Sequence, residues 1–213
     1  QAIQCLETGI ETAREQIAAG SDLLACGDMG IGNTTPSSAI VSVVTGAHTG
    51  VTTGRGTGLD DAGLAHKASV VQRAIDVNKP DPKDGFDILM KVGGFEIGVL
   101  AGVYLGAAAG KRPVVVDGFI SGAAALIAHA IAPEAGHRFI ASHQSVEPGH
   151  RLALGHMGLE PLLDLGMRLG EGSGAALSMY IIEAAAKCLS DMATFAEAGV
   201  SEKIEDDSQE AAS

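Results

Sequence analysis

Apolar residues recur at three- and four-residue intervals through Ile3, Leu6, Ile10, Ala13 and Ile17, which predicts an amphipathic helix ending at Gly20. Residues 22–26 form a short apolar run that leads straight into Gly27 and reads as a buried strand. Asn33 or Thr34 then caps a helix whose early turn accepts Pro36. Strand, glycine turn and helix in that order open a βαβ unit. The stretch 45–58 is rich in Gly and Thr and reads as a loop, followed by a helical pattern over 59–78 and a two-proline turn over 78–84. Further helices are expected over 86–92 and, after Gly93-Gly94, over 95–109. Residues 113–117 (PVVVD) are a continuous β-branched run, the pattern of a central strand in a parallel sheet. A glycine turn at Gly118 leads into a helix to about Ile131, and 138–141 is another strand candidate. Helices are expected over 148–157 and 173–192, and a polar, disordered tail from 200 to 213.

Alternating strands and helices predict an α/β fold: a doubly wound, mainly parallel, Rossmann-like sheet flanked by helices. Ligands in such sheets bind at the carboxyl ends of the strands. The expected organisation is an N-terminal helix (1–20), an α/β core (21–172), a C-terminal helical segment (173–199) and the tail (200–213).

Composition sharpens this picture. Hydrophobic residues make up 46% of the 213, yet aromatics only 3%, with 29 Gly and no Trp. Small residues therefore supply much of the apolar count, and helices are expected to approach the sheet closely. A net charge of −12 argues against nucleic acid as a partner. An anionic small molecule is still compatible, because local donors outweigh distant charge, and much of the acidity lies in the tail. Cys5, Cys26 and Cys188 have no metal-site spacing and read as thiols of a reducing compartment. With no signal peptide and no membrane-length apolar run, the expectation is a soluble, cytoplasmic protein. The chain opens at Gln1 inside a helical pattern, which is expected of a piece of a longer protein.

Candidate chemistry sits in five glycine-rich turns: GDMGIGN, GRGTG, VGG, VDG and LGEGSGAA. Such turns let backbone N–H groups approach an anion, and a helix N-terminus adds a favourable dipole. GDMGIGN is neither the dinucleotide G-x-G-x-x-G nor Walker A, which counts against an NAD-dependent oxidoreductase. Lys67 is either a solvated helix residue or a point charge on a phosphate. Asp117, ending the strongest strand, either accepts from ribose hydroxyls or caps its turn. In SHQSVEPGH the spacing of His143 and His150 suits no common zinc pair, so Ser142 and Ser145 are favoured as hydroxyl donors over any metal site. Glu171, a carboxylate among glycines, is the candidate for moving a proton.

The motifs GDMGIGNTT, GRGTGLDDAGLAHK, KVGGFEI, VVVDGFIS, SHQSVEPGH and LEPLLDLGMRLGEGSGAAL together resemble the nicotinate-nucleotide–dimethylbenzimidazole phosphoribosyltransferase family, over residues 20–195. The resemblance implies phosphoribosyl transfer from nicotinate mononucleotide to 5,6-dimethylbenzimidazole, giving α-ribazole 5′-phosphate and nicotinate, in cobalamin lower-ligand assembly. It implies Glu171 as the general base, partly desolvated so that its pKa rises. Phosphate contacts would fall to Gly30, Gly56, Lys67, Gly118 and Ser145. Asp117 and Asn33 would lie near ribose or nicotinate, and Leu169 would line the base pocket. Asp28 stands where the family more often has glutamate and is the backup base. No cofactor is implied. The partners would be the two substrates and a second copy in a homodimer. Part of a small helical domain is implied too, with an N-terminal portion that family members carry and this chain lacks. On that ground the chain alone is expected to turn over weakly or to remain an inactive nucleotide-binding module.

Overall fold

The computed structural model describes residues 1–56 and 58–200; the expected tail at 201–213 lies outside the described residues. In chain order the elements are α1 (Ala2–Ala18), β1 (Leu24–Cys26), α2 (Thr34–Thr45), α3 (Thr49–Thr52), α4 (Asp61–Asn78), α5 (Gly85–Val92) and α6 (Phe95–Ala109). There follow β2 (Val114–Val116), α7 (Phe119–Ile131), a 3-10 turn (Pro133–Arg138), β3 (Phe139–Ala141), α8 (Pro148–His156) and α9 (Ser173–Asp191). The strands form a parallel sheet in the order β1-β2-β3, with Leu24 opposite Val114 and Val114 opposite Phe139. This is the helix-flanked, parallel α/β architecture that the sequence pattern implied.

β2 is central and buried along its whole length, which is why its sequence is unbroken valine rather than alternating. β1, at the edge, keeps the alternation, with Ala25 exposed between buried Leu24 and Cys26. Around the sheet, α7 buries every residue from Phe119 to Ala128, a helix apolar on all faces because protein surrounds it. Small residues set the distances. A Cβ at Gly9 of α1 would overlap the backbone of α6, and one at Gly102 would overlap that of α1. These two helices thus meet backbone to backbone, at a separation any larger side chain would prevent.

The loop expected over 45–58 contains α3, whose first turn is capped by His48 Nδ1 accepting from Gly50 N–H at 3.0 Å. The side chain of Asp60 caps α4 by accepting from Gly63 N–H at 2.7 Å. Residues Gln1–Ser178 form one compact unit, and Met179–Ser213 a second whose described part carries the exposed Tyr180 and Leu189. Among the described residues no helix is long and apolar enough to cross a membrane.

Candidate active site

The turns after all three parallel strands open at the carboxyl end of the sheet. A cavity of about 360 Å³ there is lined by Gly30, Thr34, Gly56, Gly118, His143, Ser145, Glu147, Arg168, Leu169 and Glu171, among others. A neighbouring hollow of about 420 Å³ shares Gly30, Ile31, Thr34 and Gly56 with it and adds Lys67. Three helices start at this cleft: α2 after Asn33, α7 after Gly118 and α8 after Glu147. None carries an acidic residue in its first turn. At α2 and α7 the free N–H groups and positive dipole ends therefore remain available to an anion, whereas α8 opens at Pro148, which has no N–H, behind the Glu147 carboxylate.

Lys67 reaches the cleft from α4. Its Nζ donates to Thr34 Oγ1 at 2.9 Å and to the Gly54 carbonyl at 3.1 Å, which fixes a flexible side chain in one place. Burial pulls its pKa below the ordinary lysine range, and the Glu147 carboxylate partly restores it. Gly56, with φ +55°, donates its N–H to Glu147 Oε1 at 3.2 Å. Ser145 is tied twice: its N–H donates to His150 Nδ1 at 3.0 Å, and its hydroxyl oxygen accepts from Glu147 N–H at 3.3 Å. His150 is fully buried, and burial together with the nearby His143 lowers its pKa to about 3, so it is a neutral acceptor at physiological pH. Burial likewise lowers His143 against the raising charge of Asp117; its Nδ1 lies 3.1 Å from Ser142 Oγ.

Glu171 lies on the opposite side. Its backbone is left-handed at φ +58°, a conformation costing a non-glycine residue about 1–2 kcal/mol, so the surroundings must hold it there. They do so through neighbouring amides. Glu171 N–H donates to the Asp28 carbonyl at 2.8 Å, and Gly172 N–H donates to Asp117 Oδ2 at 3.0 Å. A Cβ at Gly27 would overlap the Gly172 backbone, so the first and last turns of the site touch only because Gly27 has no side chain, while Gly172 is needed for its left-handed φ of +76°. The carboxyl-bearing residue itself is exposed, not partly desolvated as the sequence reading expects. The reason is local: a left-handed residue at the tip of a glycine loop projects away from the backbone that anchors it.

The remaining candidates separate. Gly30, Gly118 and Leu169 line the cavity. Asp28 and Asn33 bond to each other, Asn33 Nδ2 donating to Asp28 Oδ1 at 2.5 Å. Burial raises the Asp28 pKa, the Asn33 amide opposes this, and the Glu96 charge adds to it. Asn33 Oδ1 is buried without a hydrogen-bond partner among the described residues. Asp117 is only 1% exposed, and both its oxygens accept backbone N–H groups, from Gly172 and from Ala175 at 2.9 Å. It lies behind the cleft wall, whereas the sequence had left ribose binding and turn capping both open.

The sequence names Thr34 only as a possible helix cap, and neither Glu147 nor Arg168 as a site residue. Thr34 and Glu147 stand inside motifs that were noticed, GDMGIGNTT and SHQSVEPGH, and the signal was their place at the start of a helix after a glycine turn or strand. Arg168 brings a cation to the cavity from the run LGMRLGEG.

Comparison with known proteins agrees with this geometry. A family model described as "Phosphoribosyltransferase" (DBI_PRT) matches residues 1–200. The nicotinate-nucleotide–dimethylbenzimidazole phosphoribosyltransferase of Roseiflexus sp. (strain RS-1) is 59% identical over 205 residues, covering 96% of this chain and 58% of that protein. The protein of the same name from Chloroflexus aggregans is 59% identical over 202 residues, 95% of this chain and 57% of its own length. In structure, the chain is similar to CobT from Thermus thermophilus, with a TM-score of 0.89 and 45% identity over 95% of this chain and 60% of that one. The chain thus spans a little under three fifths of the length of the curated relatives it matches.

Proposed function

The chain belongs to the DBI_PRT phosphoribosyltransferase family, and from that premise we propose that its cleft binds nicotinate mononucleotide and serves transfer of the phosphoribosyl group to 5,6-dimethylbenzimidazole. The 5′-phosphate sits at the α2 and α7 N-termini, against Gly30, Gly56, Gly118, Ser145 and the Lys67 ammonium. Arg168 in the cavity and Lys67 in the adjoining hollow set two cations beside the Glu147 and Glu171 carboxylates, inside a protein of net charge −12. Asn33, with its unpartnered buried oxygen, faces the sugar or nicotinate end. Leu169, with Met29 and Ile31, offers a flat apolar surface to the benzimidazole.

Glu171 accepts the benzimidazole N–H proton, and a ring nitrogen of the deprotonated base then uses its in-plane electron pair to form the new bond to ribose C1′. The bond from C1′ to the nicotinate nitrogen breaks, and its pair returns to the pyridinium ring, leaving neutral aromatic nitrogen. Attack opposite the leaving group inverts β to α. Asp28, raised by burial, is the reserve proton acceptor. The products are α-ribazole 5′-phosphate and nicotinate, and the whole protein acts as a cytoplasmic homodimer in cobalamin nucleotide-loop assembly.

One observation carries this reading: the N-termini of α2 and α7 and the Glu171 carboxylate line the same cavity. Nicotinate release from nicotinate mononucleotide, measured with and without dimethylbenzimidazole, tests it; release that ignores the base contradicts it. The exposure of Glu171 favours a second reading, in which this chain by itself binds the nucleotide without turnover. Calorimetric titration with nicotinate mononucleotide, set beside the release assay, separates the two.

A further inference from the structure

Asp117 ends the central strand, yet its carboxylate faces the loop that carries Glu171. Oδ2 accepts from Gly172 N–H at 3.0 Å and Oδ1 from Ala175 N–H at 2.9 Å, so one side chain grips the residue after Glu171 and the first turn of α9. Asp117 is itself held from behind. Its N–H donates to Ser121 Oγ at 3.2 Å, Ser121 donates to the Cys26 carbonyl at 2.8 Å, and the Tyr104 hydroxyl lies 2.6 Å from Ser121 Oγ. Tyr104, Ser121 and Asp117 are all buried. The chain of bonds therefore runs from the buried ends of β1 and β2 to the base of an exposed loop in a strained conformation. An outlier such as φ +58° at Glu171 persists only where neighbours over-determine it. The Asp28 carbonyl and the Asp117 carboxylate are those neighbours.

We propose that Asp117 is a positioning residue: it fixes the Glu171 loop and the start of α9 through two backbone amides, and does not bind the sugar. This role presupposes Glu171 as the proton acceptor. A carboxylate that is 1% exposed and absent from the cavity lining presents no accessible acceptor to a ribose hydroxyl. The Gly172 and Ala175 amides, in turn, would be donors left unsatisfied at a helix start without it.

The test uses the full chain and D117N, which keeps the shape but sets an NH2 group against one of the two amides. In the unaltered chain the Gly172 and Ala175 amides exchange slowly with solvent, and D117N speeds both by about tenfold or more. Nicotinate mononucleotide affinity stays within about twofold, while turnover falls about ten- to hundredfold. Combined with E171Q, D117N costs nothing further, because it acts through the same carboxylate. Fast exchange at either amide in the unaltered chain, exchange unaltered by D117N, a tenfold loss of nucleotide affinity, or losses that add to those of E171Q would overturn the assignment. Nucleotide binding without any turnover in the unaltered chain would count against Glu171 as base here, and amide exchange would still judge the tether.

Discussion

On one side of the cleft Gly56, Glu147, Ser145 and His150 are joined by successive hydrogen bonds, and Lys67 beside them is tied to Thr34 and Gly54. On the other side Glu171 is anchored only through its backbone, and Met29, Ile31 and Leu169 are 61%, 71% and 66% exposed. On the proposed function the first wall is the phosphate side: its side chains are held by hydrogen bonds before a ligand arrives, so little ordering entropy would be lost on binding. The second wall presents chemistry to solvent, where a carboxylate is well hydrated and apolar side chains find no cover. Nucleotide binding should therefore be robust in this chain, and the step that needs the incoming base should be the sensitive one.

Substitutions can break the two walls apart. The largest effect is expected from E171Q, which removes the proton acceptor and should lower base-dependent nicotinate release by about 10²–10⁴ while leaving nucleotide affinity unchanged; a parallel loss of affinity would show the walls are not separate. K67M acts on the opposite wall. Loss of a charge-assisted contact should weaken nicotinate mononucleotide about ten- to hundredfold by calorimetry. In the unaltered chain that affinity should decline on the alkaline side at a pH below the ordinary lysine range, because burial lowers the Lys67 pKa.

The buried histidine beneath the phosphate wall gives a stability signature. His150 is held down to about 3 in the fold, against 6.5 for the free group. Between those values the unfolded chain takes up a proton that the folded chain refuses. Stability is then complete above pH 6.5 and falls with acid, by about 1.4 kcal/mol per pH unit. H150N keeps an acceptor for the Ser145 N–H and should flatten that slope in denaturant titrations across pH; an unchanged slope would mean His150 is not its source. The smallest effect belongs to the apolar face, where L169S should weaken dimethylbenzimidazole about three- to fivefold and leave the nucleotide untouched.

Much of the fold was legible because it is local. The unbroken valines of β2, the glycine turn after β1 and the three-four spacing of α1 each announce their element within a few residues. The phosphate wall was legible in part for the same reason, since glycine before a helix start is a local pattern. What the sequence hid is long-range. Asp117 finds its amides 55 and 58 positions away, Glu147 reaches Gly56 across 91, and Lys67 meets Thr34 across 33. A carboxylate that binds a ligand and one that binds a distant backbone have the same one-letter code and the same place after a strand. The exposure of Glu171 was equally invisible, since glycine neighbours signal close approach without saying from which side.

The central claim is that the turns after β1, β2 and β3 converge with Lys67 into one preformed nucleotide site. Calorimetric titration of the unaltered chain and K67M with nicotinate mononucleotide tests it most directly. One binding site per chain, weakened about ten- to hundredfold in K67M, is the predicted result. Equal affinity in both proteins, or no binding by the unaltered chain, would contradict it.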